Sequence, residues 1–115
     1  LEFRRVLFRS IDKAMTSFGQ NRFKVVISNN DVNKPKPDPE GYLLAAERLG
    51  VEIARTLIIE DSIPGIGAAQ SSGAFVLGIA HFGELPQSPR TIQRLSLKGL
   101  SVAALSELFQ PILTR

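Results

Sequence analysis

Thr56-Leu57-Ile58-Ile59-Glu60-Asp61-Ser62-Ile63-Pro64-Gly65-Ile66 is the stretch that decides how this chain folds. A short apolar, β-branched run ends on two carboxylates, and serine, proline and glycine follow at once. The run Thr56 to Ile59 reads as a buried strand. A helix from about Pro64 to Ser72, stopped by Gly73, follows it. Gly65, Gly67, Ala68 and Ala69 are small enough to let that helix lie close to a sheet.

Working outward, Ala74 to Ile79 reads as a further strand. Upstream, Asn29 to Asp38 is a polar, proline-punctuated loop. Asp38 caps a helix that has Pro39 at its first position and runs through Tyr42, Ala45, Ala46 and Leu49 to Gly50. Phe23 to Ser28 reads as a buried strand, and apolar positions 11, 14, 15 and 18 give helical spacing before Gly19. Helix and strand alternate, so the fold class is α/β with a parallel sheet. In the tail, Pro89 to Leu97 is expected as a short helix, Leu100 to Ala103 as a short strand, and Ser106 to Leu113 as a final helix containing Pro111. His81 to Pro89 is a loop inside one domain.

The chain has 115 residues, 43% hydrophobic and 22% charged, which suits one globular domain or part of one. No apolar run approaches the ~20 residues of a spanning helix. There is no cysteine, which excludes disulfides and thiolate metal sites. Residues 1–10 carry Arg4, Arg5 and Arg9 against Glu2, a net of +2, which leaves +1 of the total +3 for the other 105 residues. No basic stripe is interleaved with aromatic residues, so nucleic acid is not an expected partner.

Leu1 to Ser10 begins without Met and lacks the plan of a signal peptide. The run Arg5-Val6-Leu7-Phe8-Arg9-Ser10 reads like the translation of a sequencing-library adapter. Residues 1–10 are therefore expected to be a non-native scar, and residues 11–115 the native part. The alternative is a genuine strand, Val6-Leu7-Phe8, followed by a helix capped by Ser10.

In open parallel sheets, ligands sit outside the carboxyl ends of the strands. Glu60 and Asp61 lie at such an end, and successive residues there point to different sides. One can ligate a hard cation while the other holds a neighbouring group. Magnesium takes oxygen ligands and keeps several waters, so one or two carboxylates suffice when phosphate completes the shell. Lys34, in Asn33-Lys34-Pro35-Lys36-Pro37-Asp38-Pro39-Glu40, supplies a cation on the preceding loop. Each has a plainer reading: the acidic pair as helix capping, Lys34 as a solvated loop residue, and Lys36 as a rival cation. Asn29, Asn30 and Asp31 are sufficiently explained as turn residues, and His81 as an incidental loop histidine.

Lys34-Pro35-Lys36-Pro37-Asp38 followed by Ile59-Glu60-Asp61-Ser62-Ile63-Pro64-Gly65-Ile66, with a helix between, resembles the haloacid dehalogenase-like hydrolases. The nearest branch is that of β-phosphoglucomutase and phosphoglycolate phosphatase, and the resemblance extends over about Ile11 to Ile79. It implies a Rossmann-like parallel sheet with flanking helices and magnesium-dependent phosphoryl transfer through a phosphoaspartate. It also implies a small phosphorylated metabolite as substrate, in the cytoplasm. Lys34 matches the lysine that neutralises the phosphoryl group and orients the nucleophile. Asp61 and Glu60 match the metal-binding acidic motif, with Asp61 favoured as the direct ligand.

The family's D-x-D-G-T motif, which supplies nucleophile and general acid, does not occur in these 115 residues. Neither a threonine or serine motif on the next strand nor an inserted cap is legible. The expectation is an incomplete core, the carboxyl-terminal part of an enzyme, inactive and marginally stable or self-associating alone. Two other classes compete. A receiver-like domain would place its acidic pair before the lysine, the reverse of the order here. A non-catalytic module would bind phosphate or a partner without turnover.

Overall fold

The computed structural model describes residues 6–8, 25, 27–80, 85 and 88–113. The helix expected over 11–18 lies outside them, as does most of the strand expected over 23–28. Of that strand, Val25, Ile27 and Ser28 are described, and they are not part of a strand.

The described strands form one parallel sheet in the order β1-β2-β3-β4. They are β1 (Val6–Phe8), β2 (Leu57–Glu60), β3 (Phe75–Ile79) and β4 (Thr91–Arg94). The helices are α1 (Glu40–Leu49), α2 (Ile63–Ser72) and α3 (Val102–Leu113). Leu57 pairs with Phe75 and Glu60 with Gly78, while Val6 pairs with Leu57 on the other side of β2. The Val6-Leu7-Phe8 segment therefore pairs the edge of β2 that faces away from β3.

β2 and β3 are buried on both faces, as their unbroken apolar runs require. Ile58 and Val76 point to one side and pack with Tyr42, Ile66, Ala68 and Ala69 from α1 and α2. Leu57, Ile59, Phe75 and Leu77 point to the other and pack with Leu105 and Phe109 from α3. Helices thus flank both faces of the sheet. Phe75 and Phe109 meet edge to face with centroids 6.0 Å apart.

The helix limits follow local chemistry. Asp38 accepts the N–H of Glu40 at 3.0 Å, which satisfies a first-turn donor of α1. Gly50 and Gly73 end α1 and α2 with φ of 69° and 89°, a conformation costly for other residues. The buried Thr56 hydroxyl donates to Glu52 O at 2.9 Å, so it is satisfied within its own turn. At the amino end of the sheet, Arg90 Nη1 donates to Ala54 O (2.9 Å) and Gly73 O (2.6 Å). Its guanidinium lies 3.9 Å from the centre of the Phe75 ring.

Two tail expectations are corrected. Pro89 to Leu97 is not a helix: Thr91–Arg94 forms β4, drawn into register beside Val76–Ile79. Leu100 to Ala103 is not a strand, because α3 has already begun at Val102. The final helix is present and passes through Pro111, which lies in its last turn.

Phe109 is fully buried. Phe109→Ala should lower stability by about 3–5 kcal/mol in urea unfolding, the usual cost of emptying an aromatic core site. A loss under about 1 kcal/mol would mean that α3 does not pack on this sheet as described.

Candidate functional site

The site grows from the carboxyl end of β2. Glu60, the last residue of that strand, is 1% exposed, while Asp61, next in sequence, is exposed. The strand's alternation and the turn into α2 send the two carboxylates into different surroundings.

A buried carboxylate is costly unless it is paired and hydrogen-bonded. Glu60 meets that demand with groups from three other places. Lys36 Nζ donates to Oε1 at 2.9 Å, forming an ion pair. The Tyr42 hydroxyl donates to the same oxygen in a short hydrogen bond. Ser62 Oγ lies 3.4 Å from Oε2. The Lys36 ammonium also sits 4.9 Å from the centre of the Tyr42 ring, so phenol and ammonium support one another.

Ser62 has a second task. It is the N-cap of α2, and its Oγ accepts the Gly65 N–H at 3.1 Å. Gly65 itself is dictated by Glu60, because a Cβ there would fall inside the carboxylate. The Glu-Asp-Ser-x-x-Gly spacing is therefore one packing solution: a buried acid, a cap, and a position without a side chain where helix and acid touch.

The loop before α1 is held from several sides. Ser28 N–H and Oγ donate to Asp31 Oδ2 at 2.8 and 3.1 Å. The Ser28 backbone bond chiefly holds the Asp31 carboxyl below its ordinary range. The Lys36–Pro37 peptide bond is cis. Lys34 and Lys36 are both exposed residues of the loop, although the Lys36 ammonium turns in to Glu60. The backbone N–H of Asn33 and that of Lys34 donate to Glu40 Oε1 and Oε2, each at 2.9 Å.

The sequence-expected residues are thus placed as follows. The loop that carries Lys34 is joined to the acidic strand end, but through Lys36, the rival cation, whose ammonium reaches Glu60. Tyr42 was read only as an apolar residue on the face of α1. A tyrosine on a core-facing stripe must still find a partner for its hydroxyl, and that was the available signal. Among the described residues, no three histidine, cysteine, aspartate or glutamate side chains converge. No helix of the described residues is long and apolar enough to cross a membrane.

The sequence profile of the haloacid dehalogenase-like hydrolases matches residues 8–79, which include the 33–38 loop, β2 and α2. This chain belongs to that family. It is similar to validoxylamine A 7'-phosphate phosphatase of Streptomyces hygroscopicus subsp. limoneus, at 39% identity over 69 residues, 59% of this chain and 32% of that protein. It is also similar to phosphorylated carbohydrates phosphatase of Thermotoga maritima, at 42% identity over 60 residues, 51% of this chain and 28% of that one. The chain spans a third or less of these curated relatives.

Among solved structures, β-phosphoglucomutase of Clostridium difficile superposes with a TM-score of 0.75 over 90% of this chain and 46% of that one, at 23% identity. A family IA variant 3 HAD hydrolase of Entamoeba histolytica gives 0.70 over 91% and 52%, at 26% identity. The parallel sheet with flanking helices is therefore the fold of that family's core.

Gly65→Ala should destabilise the chain by about 1–3 kcal/mol in urea unfolding, because the methyl group must displace a buried carboxylate. Tyr42→Phe should cost about 1–2 kcal/mol by removing a donor to the same charge. Wild-type stability in both variants would contradict this geometry.

Proposed function

We propose that this chain is the carboxyl-terminal part of the core of a cytoplasmic, magnesium-dependent phosphatase or phosphomutase. Residues 11–115 form that part, and residues 1–10 are an appended, non-native segment. The substrate is a small phosphorylated metabolite, processed through a phosphoaspartate whose aspartate lies outside these 115 residues. The observation that carries this reading is the Lys36–Glu60 pair, which ties the lysine loop to the acidic end of β2 at the sheet rim where ligands bind.

The donor set suits magnesium, which prefers oxygen, keeps several waters and needs only one or two protein carboxylates. Asp61 is the residue that would hold it, by its exposed carboxylate at the strand end. Glu60, the other acid of the motif, supports the site from within, its Oε1 already shared by Lys36 and Tyr42. Bound there, magnesium would supply positive charge to phosphoryl oxygens.

Positive charge comes from the same loop: Lys34 is assigned to neutralise the phosphoryl group and orient the nucleophile, and its rival Lys36 already holds its ammonium at Glu60. Phosphoryl transfer gains most from such positioning and charge, so these residues need not react covalently themselves. The relatives named above, a phosphatase of validoxylamine A 7'-phosphate and a phosphatase of phosphorylated carbohydrates, support a phosphomonoester substrate.

The chain as it stands should release no phosphate from a generic phosphomonoester. With the reading frame extended upstream to include a D-x-D-G-T segment, magnesium-stimulated release should appear. Asp61→Asn or Lys34→Met should then reduce kcat about a hundredfold or more. Activity that ignores both magnesium and Asp61→Asn would overturn the proposal.

A further inference from the structure

A lysine ammonium rides on a long flexible stem, so it has a defined place only where other groups hold it. Lys36 is held in this way. Its Nζ donates to Glu60 Oε1 at 2.9 Å and lies 4.9 Å from the centre of the Tyr42 ring. The Tyr42 hydroxyl donates to that same Oε1, so one side chain meets both members of the ion pair.

Tyr42 can hold other groups because it is itself held. It is buried on α1 and packs in the cluster that contains Ile58 and Ile66. An aromatic side chain has few torsions to lose, so its hydroxyl reaches Oε1 from a fixed direction. Phenylalanine would fill that space and offer the same ring face. The hydroxyl adds the bond to Glu60, and its effect falls on the acid and on the ammonium that shares Oε1.

The ammonium stands at a boundary. The Glu60 side chain is fully buried, whereas that of Lys36 is 35% exposed. An ammonium has three N–H donors and Glu60 accepts one, which leaves donors for an anion at the rim.

We infer that Tyr42 is a positioning residue of this site. Its hydroxyl fixes Glu60 Oε1 and its ring supports the ammonium, so Lys36 presents its remaining donors to a phosphoryl oxygen from one place. The inference rests on the phosphoryl-transfer reading above, and adds Lys36 to the charge which that reading draws from Lys34. Tyr42 touches neither substrate nor metal and acts only through Glu60 and Lys36.

Nuclear magnetic resonance on this chain tests the hold. The Lys36 ε-protons should lie upfield of those of Lys34, because the ring current of Tyr42 acts on them. That displacement should remain in Tyr42→Phe and vanish in Tyr42→Leu. Coincident Lys34 and Lys36 signals in the unaltered chain would overturn the hold, as would a displacement that survives Tyr42→Leu.

In the frame extended by the nucleophile segment, Tyr42→Phe should lower kcat about tenfold while KM moves less than about twofold, because the ammonium is misplaced rather than lost. Lys36→Met should lower kcat about a hundredfold. Adding Tyr42→Phe to Lys36→Met should then change kcat by less than about twofold, whereas a merely structural tyrosine would add its own loss. Wild-type kcat in Tyr42→Phe, or an undiminished loss on adding it to Lys36→Met, would overturn the positioning role. Wild-type kcat in Lys36→Met beside an impaired Asp61→Asn would overturn it too, and leave the phosphoryl-transfer reading standing. Wild-type kcat in Asp61→Asn would defeat that reading and, with it, this inference.

Discussion

A carboxylate buried at the end of a strand must find its partners in the chain around it, and Glu60 sets those terms for this protein. Removing such a charge from water costs several kcal/mol, which a well-made ion pair with further hydrogen bonds can offset. The partners come from separate segments: Lys36 from the proline loop, Tyr42 from α1 and Ser62 from the turn into α2. Gly65 is where α2 yields space to the same group. Bringing these together fixes α1 and α2 on one face of the sheet and draws the loop to its rim. The acidic pair is thereby divided, with one carboxylate engaged inside the fold and the next left at the surface.

The two ends of the sheet are built for different purposes. At the amino end, Arg90 bridges Ala54 O and Gly73 O and covers Phe75, closing the core with ordinary structural contacts. At the carboxyl end, charged side chains accumulate beside the N-terminus of α2. These groups are tolerated there because they pair with one another, and strand carboxyl ends are where open α/β sheets generally bind ligands. β1 completes the hydrogen bonding of β2, whose other edge is paired with β3.

Much of this was legible in the sequence because local and tertiary preferences agree. Leu57 to Ile59 had no polar face to expose, Gly50 and Gly73 marked true helix ends, and Glu60-Asp61 marked a strand end. Legibility failed where a partner far along the chain decides. Thr91-Ile92-Gln93-Arg94 follows a proline that can start a helix, yet pairing with β3 makes it a strand. The choice between Lys34 and Lys36 as the residue reaching Glu60 depended on how a loop with three prolines turns, which spacing alone does not specify. Tyr42 was hidden by its apolar neighbours, because nothing local reveals where its hydroxyl points.

The central claim is that Lys36 and Glu60 are energetically coupled across loop and sheet. A double-mutant cycle with Lys36→Met and Glu60→Gln, read by urea unfolding, measures that coupling directly. The account predicts an interaction energy of about 1–3 kcal/mol between the two sites. Effects that add to within about 0.5 kcal/mol would contradict it, and would leave the lysine loop without its tie to the acidic strand end.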